Sequence, residues 1–219
     1  MTVDFNAAEF FSFTLKSIIS IFAILNPFGA LPVFVSLTQN YSKNDKRYIV
    51  RRSTYFVFGI LTFFFLFGEL IFKIFGINIG SLEVAGGILL SLVSINMVFG
   101  NPHKERTSND ELAEAEDKEN IALVPLAIPL LSGPGAIATV ITLSTSVENF
   151  FLYAAIFIAI IISCIAVYLV LISSSYLNRF LGKIGIGIIS RLMGIILLAI
   201  SVQFIVNGLK ILFPVIVGK

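Results

Sequence analysis

Two apolar runs, each long enough to cross a bilayer, are interrupted by proline and glycine. The first interruption is Asn26-Pro27-Phe28-Gly29-Ala30-Leu31-Pro32; the second is Leu131-Ser132-Gly133-Pro134-Gly135-Ala136-Ile137. Proline cannot donate the backbone hydrogen bond that a helix interior needs, and its ring clashes with the preceding turn. Hydrocarbon offers no partner for the N–H and C=O groups so released, so such breaks persist only inside protein or against a wet cavity. Paired breaks in two halves of one chain point to a transport site near the membrane midplane. A pair of packing kinks is the plainer alternative. The symmetric clustering of Pro32 and Pro129 beside the breaks weighs against it.

Composition agrees with a membrane setting. Of 219 residues, 57% are hydrophobic and 13% are charged, with a mean hydropathy of +0.98. Soluble domains carry about 25% charged residues. The net charge of +2 gives no basis for binding nucleic acid. Cys164 stands alone in an apolar run and reads as a small buried hydrophobe. The single His103 lies in a polar loop, so no His/Cys cluster exists for a metal, and no cofactor is expected. Met1 to Phe11 carries Asp4 and Glu9 and no basic stretch, so the first span is expected to remain uncleaved.

Six spans are expected, at roughly 10–37, 54–72, 81–100, 121–144, 150–173 and 185–213, each near or above the ~20 residues needed to cross. Lys43, Lys46, Arg47, Arg51 and Arg52 fall in the first loop, Lys104, Arg106 and Lys118 in the third, and Arg179, Lys183 and Arg191 in the fifth. The other side holds Lys16, Lys73, Lys210 and Lys219. Cytoplasmic loops are enriched in Lys and Arg, which puts both termini outside a plasma membrane. Residues 101–120 form an acidic cytoplasmic linker between a first repeat, 1–100, and a second, 121–219.

The halves resemble each other. Pro27-Phe28-Gly29-Ala30-Leu31 matches Pro134-Gly135-Ala136-Ile137 if one residue is dropped, and Glu83 to Leu90 lines up with Arg191 to Leu198. Three spans per half make the second half inverted. The expected fold is therefore all-α: six transmembrane helices as two inverted three-helix repeats, with helices 1 and 4 broken.

At these residues the chain resembles the MarC family of six-span membrane proteins, also known as the small neutral amino acid transporter family. The resemblance covers nearly the whole chain. It rests on Asn26-Pro27-Phe28-Gly29 with Pro32-Val33-Phe34, on Pro129 to Ile137, on Ala85-Gly86-Gly87, and on Arg191-Leu192-Met193-Gly194 with Val202-Gln203-Phe204. It implies secondary transport of small neutral amino acids such as glycine and alanine. Glu83 departs from the family's pattern, where arginine is common.

A zwitterion with almost no side chain must be held by its carboxylate and ammonium. Helix N-termini attract anions through free N–H groups and the helix dipole. A helix restarting after Pro27 would offer the amides of Phe28, Gly29 and Ala30; one restarting after Pro134 would offer those of Gly135, Ala136 and Ile137. The half-helices that end before each break would present carbonyls to the ammonium or to a coupling ion, proton or sodium. Asn26, Ser132 and Gly133 precede the restarts, and Asn26 and Ser132 suit either capping or ligand contact. Thr139 lies one turn further on, where a hydroxyl bonds the helix or a ligand. The substrate-binding set is therefore Asn26, Phe28, Gly29, Ala30, Ser132, Gly133, Gly135, Ala136 and Thr139.

Glu83 and Arg191 begin the third span of each half and read as interface anchors or as gate or coupling charges. Glu69 and Lys73, one turn apart, suit an interfacial ion pair. Asn96, Gln203 and Asn207 suit interhelical hydrogen bonds. No metal-binding helix motif or paired intramembrane carboxylate supports an enzyme. Export of another small metabolite and a purely structural role stay open, as does oligomerisation.

Overall fold

The computed structural model describes residues 7–38, 40–99, 131–147 and 149–214, and among these the chain is all helical. The acidic linker 101–120, His103, Pro129 and the first half of the fourth expected span lie outside the described residues. α1 spans Ala7–Leu25 and α2 spans Pro27–Leu37. α3 is Lys43–Phe75, α4 Ile79–Phe99 and α5 Pro134–Thr145. α6 is Phe150–Ile172 and α7 Ser174–Leu212.

Five segments are long and apolar enough to cross a membrane: Ala7–Leu37, Lys43–Phe75, Ile79–Phe99, Phe150–Ile172 and Ile184–Leu212. Their outer faces are apolar: Phe11, Ile19, Leu66, Ile74, Leu169 and Ile195 are all exposed. Contiguous exposed apolar surface on this scale belongs in lipid. α5 has only twelve residues and α2 eleven. At 1.5 Å per residue they reach about 18 and 16 Å, roughly half of a ~30 Å hydrocarbon core.

One expected boundary needs correction. The second helix starts at Lys43, not near residue 54, so the five cations of the first loop lie on its first turns. Ser42 caps it: its hydroxyl accepts from the Asp45 N–H at 3.2 Å and donates to the Asp45 carboxylate at 2.8 Å. The last span runs over Ile184–Leu212, in line with the expected 185–213, and a kink at Gly182 (φ 63°, ψ 179°) separates it from a short helical stretch that begins at Ser174. Gln203 and Asn207 also differ from expectation. They bond each other along one exposed face of α7 at 2.7 Å, not across helices.

Small residues decide which helices touch. α4 and α7 run antiparallel along a seam of Gly80, Gly87 and Ser94 facing Gly208, Ser201 and Gly194. Both sets repeat every seven residues. A Cβ on Gly87 would lie 2.8 Å from the Ser201 carbonyl oxygen, and one on Gly194 would lie 3.1 Å from that of Ser94. Ser91 Oγ and Ser201 Oγ add a hydrogen bond of 2.8 Å across the seam. Between membrane helices, close van der Waals approach of this kind replaces the hydrophobic drive that lipid removes. α6 packs against α1, where Ser163 Oγ donates to the Ile18 carbonyl, and against α3, where Tyr153 donates to the Phe65 carbonyl at 3.0 Å. α5 is wedged among α1, α3 and α4. The fully buried core runs through Ile21, Leu25, Leu31, Phe34, Ile49, Leu61, Ile156 and Ile160.

Candidate substrate site

The first break is made by a single residue. Asn26 sits in the left-handed region, φ 44° and ψ 60°, between α1 and α2. Asn is among the few side chains that visit that region readily. Its N–H still bonds the Phe22 carbonyl, so α1 is complete to its last residue. Pro27 then has no N–H to give. Among the described residues no hydrogen bond reaches the carbonyls of Ala23, Ile24 or Leu25. Asn26 is wholly buried, with Oδ1 accepting from the Gly29 N–H at 3.1 Å and Nδ2 donating to Met97 Sδ at 3.1 Å. Asn26 therefore acts as an N-cap.

The second break ends in the same hydrogen-bonded geometry. Gly29 N donates to the Asn26 carbonyl at 3.0 Å and Ala30 N does so at 3.3 Å. Ala136 N donates to the Gly133 carbonyl at 2.9 Å and Ile137 N at 3.3 Å. The equivalence pairs Pro27 with Pro134 and Phe28 with Gly135, and no residue is dropped. It also narrows the available donors. The amides of Gly29, Ala30, Ala136 and Ile137 are occupied. Those of Phe28 and Gly135 make no hydrogen bond among the described residues. Pro32, inside α2, further denies a donor to the Phe28 carbonyl.

The two restarts differ in how they are entered and covered. Gly133 is extended, φ −65° and ψ 175°, and has no side chain to cap α5. It is half-buried and Pro134 is exposed, whereas Asn26 and Pro27 are buried. The second restart is the open one. Ser132 is buried before it, and Thr139 Oγ1 donates to the Gly135 carbonyl at 2.7 Å, leaving its lone pairs as acceptors.

The fold brings the breaks together. A Cβ on Gly135 would lie 3.4 Å from Ile24 Cγ2, in the last turn of α1, and 3.3 Å from Leu90 Cδ1 of α4. Seven residues along α4, Met97 covers Asn26 and Gly29. Met97 and Leu90 are the contributors that sequence reading missed; as apolar positions in an apolar span they carry no distinguishing signal. Glu83 and Arg191 are not brought together. The antiparallel seam sets Gly80 against Gly208 and Met97 against Gly194, which puts the two charges at opposite ends of the α4–α7 pair.

Asn26→Ala is expected to lower stability by about 2 kcal/mol, combining a lost cap with an alanine forced into the left-handed region. Asn26→Gly keeps the backbone conformation open and should lose less. Thermal unfolding midpoints of the two purified variants check the order; equal losses would mean that backbone conformation at residue 26 costs nothing.

These features define a polytopic helical membrane protein whose interior joins two proline-restarted helices. The chain belongs to the MarC family of integral membrane proteins, whose profile matches residues 11–213. It is 44% identical over 202 residues to a UPF0056 membrane protein of Aquifex aeolicus, covering 92% of this chain and 94% of that one. Identity is 40% over 207 residues to UPF0056 membrane protein YvbG of Bacillus subtilis (94% and 98% covered). It is 35% over 208 residues to YhcE of Escherichia coli (94% and 96% covered). No solved structure matches the chain.

Proposed function

We propose that this protein is a secondary transporter of small neutral amino acids, glycine and alanine first, working by alternating access. The observation that carries the reading is the pair of restarts with one hydrogen-bond pattern, each leaving a single amide without a hydrogen bond among the described residues, on helices of half-membrane length, with Gly135 of the second restart set against the last turn of α1. The carboxylate is held at the N-terminus of α5 by the Gly135 amide, with the Phe28 amide its counterpart on α2. The carbonyls of Ala23, Ile24 and Leu25 and the Thr139 oxygen suit the ammonium. Asn26, Gly29 and Ala30 shape the first restart; Ser132, Gly133 and Ala136 shape the second. A helix N-terminus is worth about 0.3–1 kcal/mol to an anion at an exposed site and up to ~2 kcal/mol when partly buried.

Six spans in two inverted repeats fit this reading. α2 packs on α7 as α5 packs on α4, and α3 meets α6. Those are the pairings a pseudo-two-fold axis in the membrane plane generates. The Lys and Arg distribution supports a plasma-membrane orientation with both termini outside.

Glycine is expected to raise the unfolding midpoint of the purified protein in proportion to the logarithm of its concentration, and glycinamide is not. The amide lacks the charge that a helix N-terminus selects. Equal stabilisation by both compounds would remove the carboxylate from the reading. Failure of both to drive counterflow in liposomes would remove amino acids altogether.

A further inference from the structure

A second polar feature lies away from the breaks. Glu83 is the only charged residue of α4, is 4% exposed, and has Oε2 without a hydrogen-bond partner. Its polar neighbour across the helix contact is the buried Thr142 hydroxyl of α5, which sits beside the carboxyl without a well-formed hydrogen bond to it. Both line an open cleft of about 490 Å³ together with Glu69, Lys73, Asn78 and Thr145. A buried carboxyl normally finds a donor or a counter-charge, because an unpaired one loses its hydration for nothing. Here the fold supplies no counter-charge, and the donor it offers is the Thr142 hydroxyl. α5 contains no titratable residue. From α3, Glu69 and Lys73 face the cleft but are spent on each other at 2.6 Å, at its exposed rim. From α7 the lining residue is Ile211, and the nearby Lys210 is exposed.

Three helices end around this cleft: α3 at Phe75, α5 at Thr145 and α7 at Leu212. Each C-terminus carries the equivalent of about half a negative charge, against one N-terminus, that of α4. The cleft is therefore electronegative and draws in cations, protons included. Thr142 is eight residues beyond Pro134, about 12 Å along α5. A molecule the size of glycine cannot bridge the two places, yet one rigid helix carries both Gly135 and Thr142.

We infer that Glu83, with the Thr142 hydroxyl, is the site at which this protein takes up and releases a proton, on the face of the membrane where α3, α5 and α7 end. The exchange is a simple ionisation. A proton from water neutralises the carboxylate, and the resulting O–H donates to Thr142 Oγ1, so the buried carboxyl no longer needs a counter-charge. Loss of the proton leaves a buried carboxylate with the Thr142 hydroxyl as its donor and no counter-charge. Its use in coupling rests on the transport reading; the proton site itself does not.

The test uses the full-length protein in liposomes and in detergent, with Glu83→Gln as an amide of the same size. Wild-type liposomes should accumulate labelled glycine under an imposed pH gradient, and Glu83→Gln liposomes should not. Glycine exchange by the wild type should change with pH, and exchange by the variant should not. Accumulation by the variant at the wild-type level overturns the assignment, as does wild-type accumulation that follows sodium at constant pH. In detergent, without substrate, the wild type should lose stability relative to the variant as pH rises above the ordinary carboxylate range, since only the wild type must then bury a charge with no counter-charge. Parallel pH profiles overturn the proton site even where glycine is not carried, so a failed transport reading and a failed proton site give different results. If Glu83→Gln does not fold, Thr142→Val decides. It keeps the carboxyl and removes its partner, and it should displace the pH dependence of wild-type exchange; an unmoved profile overturns the pairing.

Discussion

Gly208→Val is expected to separate α4 from α7 and to leave little folded protein. A Cβ at residue 208 would sit 2.5 Å from the Gly80 carbonyl oxygen, 2.9 Å from the Val84 backbone nitrogen and 2.8 Å from Val84 Cγ2. Two of the three obstacles are backbone, which no rotamer change removes. Overpacking a well-filled core costs about 1–3 kcal/mol where side chains can shift, and more where they cannot. Valine here forces whole helices apart, and the seam it opens extends through Gly87, Ser201 and Gly194. With only ~5–15 kcal/mol of stability in an ordinary protein, loss of that seam is a large fraction of the total. Gly59→Val is the matched control, since nothing lies within 4 Å of a Cβ there. The comparison is the yield of monodisperse protein after detergent extraction and its unfolding midpoint. Equal behaviour of the two variants would show that the α4–α7 contact does not hold the molecule together.

What the sequence reveals and what it hides follow from how local each cause is. The breaks are legible because proline lacks an N–H in any surroundings, and Pro27 and Pro134 each stand at the first position of a restarting helix, where that loss costs least. The start of α3 was equally local, in the Ser42 hydroxyl three residues before Asp45, but five nearby cations read as a loop and masked it. A charged helix end that overhangs the membrane looks, by composition, like a connection. Which amides stay free at the restarts is not local. It depends on Asn26 turning left-handed and spending its Oδ1 on Gly29, and only backbone coordinates fix that. The α4–α7 seam is intermediate. The seven-residue spacing of Gly80, Gly87 and Ser94 is visible in the chain, but it gains meaning only once Gly208, Ser201 and Gly194 are known to face it. The setting of Glu83 is the least legible, because it is made by the ends of helices far apart in sequence.

Gly135→Val is expected to abolish glycine binding while the protein still folds, and this separates a binding site from a packing kink. The obstacles at residue 135 are side-chain atoms, Leu90 Cδ1 at 3.3 Å and Ile24 Cγ2 at 3.4 Å from a Cβ. These can move by a few tenths of an ångström, so the folding cost should stay within about 1–3 kcal/mol. The effect on ligand should be larger than that cost suggests. The valine methyls would crowd the unpaired Gly135 amide, and a hydrogen bond from an amide to a charged group is worth about 1.5–3 kcal/mol, or roughly ten- to a hundred-fold in affinity. Gly135→Ala should fall between, since its Cβ needs only small adjustments. Gly29→Val is a poorer probe. Its Cβ would strike the Asn26 side chain and lie 2.8 Å from Met97 Cε, so any loss would mix a broken cap with a blocked site. By the same geometry, amino acids with longer side chains should compete progressively less well against labelled glycine. Calorimetric titration of folded Gly135→Val with glycine, beside the same titration of Gly135→Ala, reads the result directly. If valine at 135 binds and transports glycine at the parental level, the α5 N-terminus does not hold the carboxylate, and the twin restarts are packing features of the fold.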